Sequence, residues 1–285
     1  MNSSRSKTSP APAFSPFDAP WHRFYDEGVP KTIEPEQIPL YHWLDRSAQE
    51  HPHAKACIFY NSKLTYARLN ELAEIMAANL QAQGLEPGDR VGIMLPNLPQ
   101  TIISFWGVLK AGGIVTMINP LYMETELVHQ ANDAGIKFMI SYDGCWEKLF
   151  NLRKKLNIQR YYITTVSEGL AFPASIIHTL RSRRDGTYKK VLFDKKLFFP
   201  FSSLLKGKKR LCVPVEDPKN TLALLQYTGG TTGLSKGAML SHYNVAANAR
   251  QTEAFLHYLH EDEQIFMGVL PFFHVDGLNT CIVFP

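Results

Sequence analysis

The 285 residues are 45% hydrophobic and 20% charged, an ordinary globular composition with enough apolar material for a substantial core, sized for two average domains or one large one. No apolar run reaches the roughly 18 residues that a spanning helix needs, and the polar, Pro/Ser/Ala-rich stretch 1–20 lacks the apolar centre of a secretory signal. The formal net charge of +4 hides an asymmetry: residues 181–210 hold 11 Lys/Arg against 2 Asp, which leaves the remainder net acidic and points to an anionic surface as partner, not to nucleic acid.

Residues 1–20 read as a disordered lead, and 21–41 as an extended, proline-punctuated entry. A short helix is expected from Leu44 to about His51, a strand at 57–60 and a turn at 61–63. Thr65 is placed to cap a helix to about Gln83, with Leu69, Leu72, Ala73, Met76, Ala77 and Leu80 at helical spacing and Gly84 closing it. Strands at 90–95, 114–118, 137–141 and 161–165 then alternate with helices opening at Pro99 and Glu124. This rhythm predicts parallel βαβ units in an α/β fold, with ligands beyond the carboxyl ends of the strands.

Residues 167–210 break the rhythm. The apolar stretch 171–180 is followed by Arg181, Arg183 and Arg184, and further apolar residues alternate with lysines up to Leu205. An apolar and basic segment outside the regular fold would lie on an anionic membrane face, or would be a solvated insertion whose aromatics pack on the domain; the sequence leaves both open. A strand at 222–226 follows, then the glycine-rich turn, a helix capped by Ser241, and an apolar run at 264–270 that reads as a buried strand. The four cysteines (Cys57, Cys145, Cys212, Cys281) are far apart and at no metal-ligand spacing, which suits free thiols in a reducing, cytoplasmic setting. His257 and His260 beside Glu261 form no His-Glu-x-x-His pattern and read as a solvated helix end.

The stretch Tyr-Thr-Gly-Gly-Thr-Thr-Gly-Leu-Ser-Lys-Gly at 227–237 carries the chemistry. Read as strand, small-residue loop, then helix, it presents backbone N–H groups to phosphate. Gly229, Gly230 and Gly233 permit close backbone approach. Thr228, Thr231 and Thr232 add hydroxyl donors, and Lys236 adds a point charge suited to phosphate. The order Lys-Gly, in place of Gly-Lys-Ser/Thr, excludes the P-loop of the common NTPases. The bland alternative is a flexible surface turn.

This stretch resembles the phosphate loop of the adenylate-forming (AMP-binding) superfamily, in the form found in long-chain fatty-acid–CoA ligases. Ser235 stands where many members carry proline, and Gly230 where many carry serine. Residues 271–278, Pro-Phe-Phe-His-Val-Asp-Gly-Leu, resemble the superfamily's second motif, and 92–100 and 118–127 resemble the N-terminal subdomain of the bacterial enzymes. The resemblance covers 21 to 285 and implies the large N-terminal domain of that fold, with parallel-rich sheets flanked by helices and 167–210 as an insertion. It implies activation of a fatty acid by ATP to an acyl-adenylate, then to acyl-CoA, with release of pyrophosphate and AMP. Thr228, Gly229, Gly230, Thr231, Thr232, Gly233 and Lys236 would grip the phosphates of ATP, and His274, Phe273 and Phe272 would border the acyl site. The Mg2+ ligand, the adenylation lysine and the C-terminal domain are expected beyond residue 285, because the chain stops within the apolar run 281–285 and reads as truncated. The 285-residue chain alone is expected to be inactive. CoA ligases for medium-chain or aryl acids share the same loop, and a non-catalytic nucleotide- or membrane-binding remnant is the rival of a different class. A homodimer is neither required nor excluded.

Overall fold

The computed structural model describes residues 19–209, 212–228, 234–259 and 264–284. An entry helix, α1 (Tyr41–Glu50), and an antiparallel hairpin, β1 (Lys55–Phe59) with β2 (Ser62–Thr65), lead into α2 (Tyr66–Ala82). Strands and helices then alternate: β3 (Arg90–Met94), α3 (Pro99–Lys110), β4 (Ile114–Met117), α4 (Glu124–Asp133), β5 (Ile136–Tyr142), α5 (Trp146–Leu152), β6 (Arg160–Thr164), α6 (Ala174–Arg184) and β7 (Phe198–Pro200). The hairpin β8 (Leu222–Thr228) and β9 (Lys236–Ser241) follows, then α7 (His242–Phe255) and a four-residue helix, α8 (Val275–Leu278). Seven strands form one sheet in the order β7-β6-β5-β3-β4-β8-β9, parallel throughout except for β9, which runs antiparallel to β8.

Alternation along the buried strands divides the core between two faces. Val91, Ile93, Phe138 and Ile140 join Met76, Leu80, Phe105 and Leu109 of α2 and α3. Met139, Tyr161 and Ile163 join Leu127, Trp146 and Leu149 of α4 and α5. Gly92 at the centre of β3 is tied to this packing: a Cβ there would lie 2.9 Å from the Met139 sulfur and 3.0 Å from methyls of Ile118 and Ile136.

The local signals act as the sequence predicts along most of this stretch. The Thr65 hydroxyl accepts from the Arg68 N–H at 3.3 Å to start α2, and Gly84, at φ +93°, takes the left-handed conformation that ends it. Helix α4 has the expected bounds, and Ser241 caps α7 through a reciprocal pair with Asn244. Helix α1 starts three residues before the expected Leu44, and 62–65, read in part as turn, pairs back on β1 as a second strand.

Three expectations are corrected. The glycine-rich stretch does not pass from strand to helix. It closes a hairpin, because residues 236–241 pair with β8 and satisfy its free edge before α7 begins. Six residues of strand set the first turn of α7 roughly 20 Å along the chain from the stretch, too far for its dipole to act there. Residues 264–270 form no strand: they are irregular and exposed, with Ile265 at 85% and Met267 at 82%. An apolar run becomes a buried strand only beside another strand, and the carbonyls of Gly268 and Leu270 are taken instead by the Asn97 side chain. The segment 167–210 lies only partly outside the sheet. Phe198–Pro200 adds a parallel strand to β6, Phe198 stacks on Tyr161 with centroids 4.7 Å apart, and Phe201 and Leu204 are buried behind it.

Two buried polar contacts join distant segments. Lys110, the last residue of α3, has no exposed surface and pairs with Asp45 of α1, 5.6 Å from the Tyr41 ring centroid. Removing Asp45 leaves a buried cation unpaired, so Asp45→Ala is expected to cost ~3–5 kcal/mol in urea unfolding. Asp45→Ala combined with Lys110→Met should recover most of that loss, and equal stability of the two variants would refute the pairing.

His242, at the start of α7, accepts the Leu40 N–H on Nδ1 at 3.1 Å, and burial pushes its pKa from 6.5 down to about 4. Between those values the unfolded chain holds more protons than the folded one, so stability present above the upper value is lost as pH falls toward the lower. His242→Asn, which keeps an acceptor but does not titrate, is expected to flatten the pH dependence of unfolding in that window by up to about 1.4 kcal/mol per pH unit.

Candidate functional site

Strands β4 and β8 are parallel neighbours, so their carboxyl ends open on the same edge of the sheet. A cleft of about 390 Å³ lies there. Met117 and Asn119 enter it from the end of β4, Tyr122 from the loop before α4, and Gln226, Tyr227 and Thr228 from β8. The remaining wall is Phe273, His274 and Val275, and no carboxylate lines the cleft among the described residues.

Hydrogen bonds fix these walls to one another. Gln226 donates from Nε2 to the Phe273 carbonyl at 3.3 Å, and its buried Oε1 has no protein partner, an acceptor held at the cleft wall without a donor. Helix α4 holds both arms of the β8–β9 hairpin. Tyr227 donates its hydroxyl to Asp133 at 2.5 Å, and His129 Nε2 lies 2.9 Å from the Ser235 carbonyl. Burial first, and then the Asp133 carboxylate, push the Tyr227 pKa well above its usual range, so the phenol stays a donor. Gly237 faces Tyr227 across the ladder, where a Cβ would come 2.8 Å from the phenol ring.

Asn97, in the loop between β3 and α3, fixes the opposite wall. Its Nδ2 donates to the carbonyls of Gly268 at 3.0 Å and Leu270 at 2.8 Å, and its Oδ1 accepts the Phe272 N–H at 2.9 Å. Three bonds from one amide set the backbone directly ahead of Phe273 and His274.

The structure places the sequence-predicted residues unequally. Thr228 lies at the cleft, and Lys236 pairs with it across the hairpin, exposed at the start of β9. Gly229, Gly230, Thr231, Thr232 and Gly233 lie outside the described residues. Phe273 and His274 line the cleft; the His274 side chain is 60% exposed and its Nδ1 accepts from the Asp276 N–H at 3.4 Å to cap α8. Phe272 is turned into the main core and is not a cleft wall. Sequence reasoning missed Asn119, Tyr122, Gln226 and Asn97 as site residues. Asn97, Asn119 and Tyr122 fall within the two segments that it matched to the family, but nothing in their spacing marks them as site residues.

Among the described residues no group of three or more His, Cys, Asp or Glu is placed to hold a metal ion. The described residues of the cleft thus hold no such cluster for Mg2+. What it offers among the described residues is hydroxyl and amide groups, the His274 imidazole and an aromatic wall, suited to a polar ligand with an apolar part.

A parallel-rich sheet flanked by helices, with a polar cleft at its carboxyl edge, defines an α/β domain whose candidate site lies where ligands of such folds bind. The sequence profile of the family described as "AMP-binding enzyme" matches residues 44–285, and the chain belongs to that family. It is 39% identical over 264 residues to a long-chain-fatty-acid–CoA ligase of Bacillus subtilis, covering 92% of this chain and 47% of that protein. Among solved structures it resembles a long-chain-fatty-acid-CoA ligase from Archaeoglobus fulgidus, with TM-score 0.68, 22% identity, 91% of this chain and 48% of that one. ATP-bound MatB from Rhodopseudomonas palustris gives a TM-score of 0.65 at 21% identity, over 87% of this chain and 44% of that one. The chain thus spans about half the length of these relatives.

Replacing Asn97 by Ala removes three bonds to the backbone of 268–272. Amide exchange in that segment is expected to speed up about tenfold or more while β3 exchange is unchanged. Equal exchange in wild type and variant would show that Asn97 does not hold this wall.

Proposed function

We propose that this chain is the nucleotide-gripping half of an AMP-forming long-chain fatty-acid–CoA ligase. In that reaction a fatty carboxylate attacks the α-phosphorus of ATP, the bond to pyrophosphate breaks, and acyl-adenylate forms. The CoA thiol then attacks the acyl carbon, and AMP leaves. The chain's own task is to neutralise charge that builds up on the departing pyrophosphate. Thr228, Lys236 and the turn residues Gly229, Gly230, Thr231, Thr232 and Gly233 take that role, while Phe273 and His274 border the acyl group. Phe272 acts from behind, as packing for Phe273.

The observation that carries this reading is the cleft beside the β8–β9 turn. It brings Thr228 together with Phe273 and His274, and leaves the Gln226 Oε1 acceptor unfilled. The reading is further supported by the 39% identity to the Bacillus subtilis ligase and by the fold shared with an enzyme solved with ATP. A cytoplasmic location with attachment to an anionic membrane face belongs to the same proposal, supported by four free cysteines and by the basic segment 181–210. No helix among the described residues is long and apolar enough to cross a membrane.

Calorimetric titration of the chain with ATP and with AMP tests the phosphate role. Lys236→Ala is expected to weaken ATP binding about tenfold and to leave AMP binding unchanged, since its charge serves the outer phosphates. Equal ATP affinity in both proteins overturns the assignment. So does unchanged palmitate-dependent pyrophosphate release when the same substitution is placed in a ligase of the relatives' full length.

A further inference from the structure

The crossover from β6 to β7 carries a surface that neither the core nor the cleft uses. Helix α6 buries none of its residues, unlike α2 and α3, which supply much of the core. Yet it is not a polar helix. Ile176, Ile177 and Leu180 are exposed on it, and Phe172, just ahead of its first turn, is 80% exposed. Ile176 and Leu180 are four apart and share one stripe, with Ile177 beside them. A cluster of large apolar side chains in water marks an interaction surface.

Charge identifies what the surface meets. No acidic residue occurs from 170 to 184, and the last turn of α6 carries Arg181, Arg183 and Arg184. Over 181–196 there are seven Lys/Arg against two Asp, with Leu192 and Phe193 exposed among them. Arg181 and Arg184 share Asp185 at 3.5 and 3.1 Å, and Lys189 reaches Glu147 at 2.9 Å. Those are surface pairs, weak and open to competition from a stronger anion. Lys190, Lys195 and Lys196 are exposed besides. Apolar side chains followed at once by a cationic run match an apolar layer beneath an anionic one, which is the cross-section of a bilayer with acidic headgroups.

The two halves of the segment behave differently. Phe198, Phe201 and Leu204 are spent on the sheet and core, so their apolar character is satisfied within the fold. Phe172, Ile176, Ile177 and Leu180 are not. Strand β7 is also the edge of the sheet opposite to β9, so a surface meeting this crossover leaves the β4–β8 cleft at the other end of the strand order.

We infer that residues 172–196 dock the chain on an anionic lipid bilayer. Phe172, Ile176, Ile177 and Leu180 enter the interface, and the cations from Arg181 to Lys196 contact the headgroups. The inference rests on the membrane attachment proposed above and gives it a specific face.

Sedimentation of the 285-residue chain with phosphatidylglycerol-containing vesicles and with pure phosphatidylcholine vesicles tests it. Wild type is expected to partition onto the anionic vesicles only, and less so as salt rises. The triple substitution Ile176→Ser, Ile177→Ser and Leu180→Ser should weaken partitioning at least about tenfold, and Lys190→Glu, Lys195→Glu and Lys196→Glu should weaken it and reduce its salt dependence. Both variants should unfold as wild type does, because all six substituted side chains are exposed. Failure of wild type to bind either vesicle overturns membrane attachment altogether. Binding that both variants retain overturns only the assignment to α6. Self-association lost in the serine variant, without vesicle binding, would mean that protein covers this face and would also overturn the inference. ATP titration of the same samples reads the cleft independently of all these outcomes.

Discussion

The central strand β3 has no face for water. From Val91 to Met94 every residue is buried, and parallel partners bond it on both sides, β4 on one and β5 on the other. Parallel neighbours cannot be joined by a tight turn, so each needs a crossover, and the crossovers put α3 on one face and α4 and α5 on the other. The same constraint sends the carboxyl ends of β3, β4, β5, β6 and β8 to one edge. A binding cleft at that edge follows from the burial of β3, and Gly92, hemmed in by Met139, Ile118 and Ile136, marks how little freedom the centre has.

The cleft is held by polar groups of the crossovers as well as by the Gln226–Phe273 bond between its own walls. Helix α4 reaches one arm of the β8–β9 hairpin with Asp133 and the other with His129. Asn97, leaving β3, takes two carbonyls and one N–H from the segment ahead of His274. The brackets come from α4 and from the loop after β3, and they hold segments that the sheet does not contain.

Two sets of exposed apolar groups differ in their charged surroundings. Ile265, Met267 and Val269 belong to an irregular segment that Asn97 anchors ahead of Phe273 and His274, and Met239 is exposed on the edge strand β9. The set on α6 belongs to a helix with no buried residue, and it is followed by cations. The first set has no cationic run beside it in sequence; the acidic residues Glu261, Asp262 and Glu263 precede it instead. The physical distinction is in the charge pattern, because hydrophobic burial alone is non-directional and names no partner.

Local sequence determined what depends on neighbours along the chain. Helical spacing with Thr65 and Gly84 set α2, Pro99 set the start of α3, and Ser241 set the start of α7, because caps and left-handed closures act within one turn. The motif at 227–237, with the stretch at 271–278, pointed to the cleft and to the family, since chemistry of that kind is carried by residue type and order. Tertiary structure decided what depends on pairing across the chain. Whether 236–241 is a strand rested on β8 lying beside it, and whether 264–270 is one rested on a partner that no spacing can reveal. The same holds for Lys110 finding Asp45 and for His242 accepting from Leu40, which lie 65 and 202 residues apart. It holds also for Phe272, which turned into the core while Phe273, its chain neighbour, faced the cleft: side-chain identity fixed what each could do, and the surrounding packing fixed which of them did it.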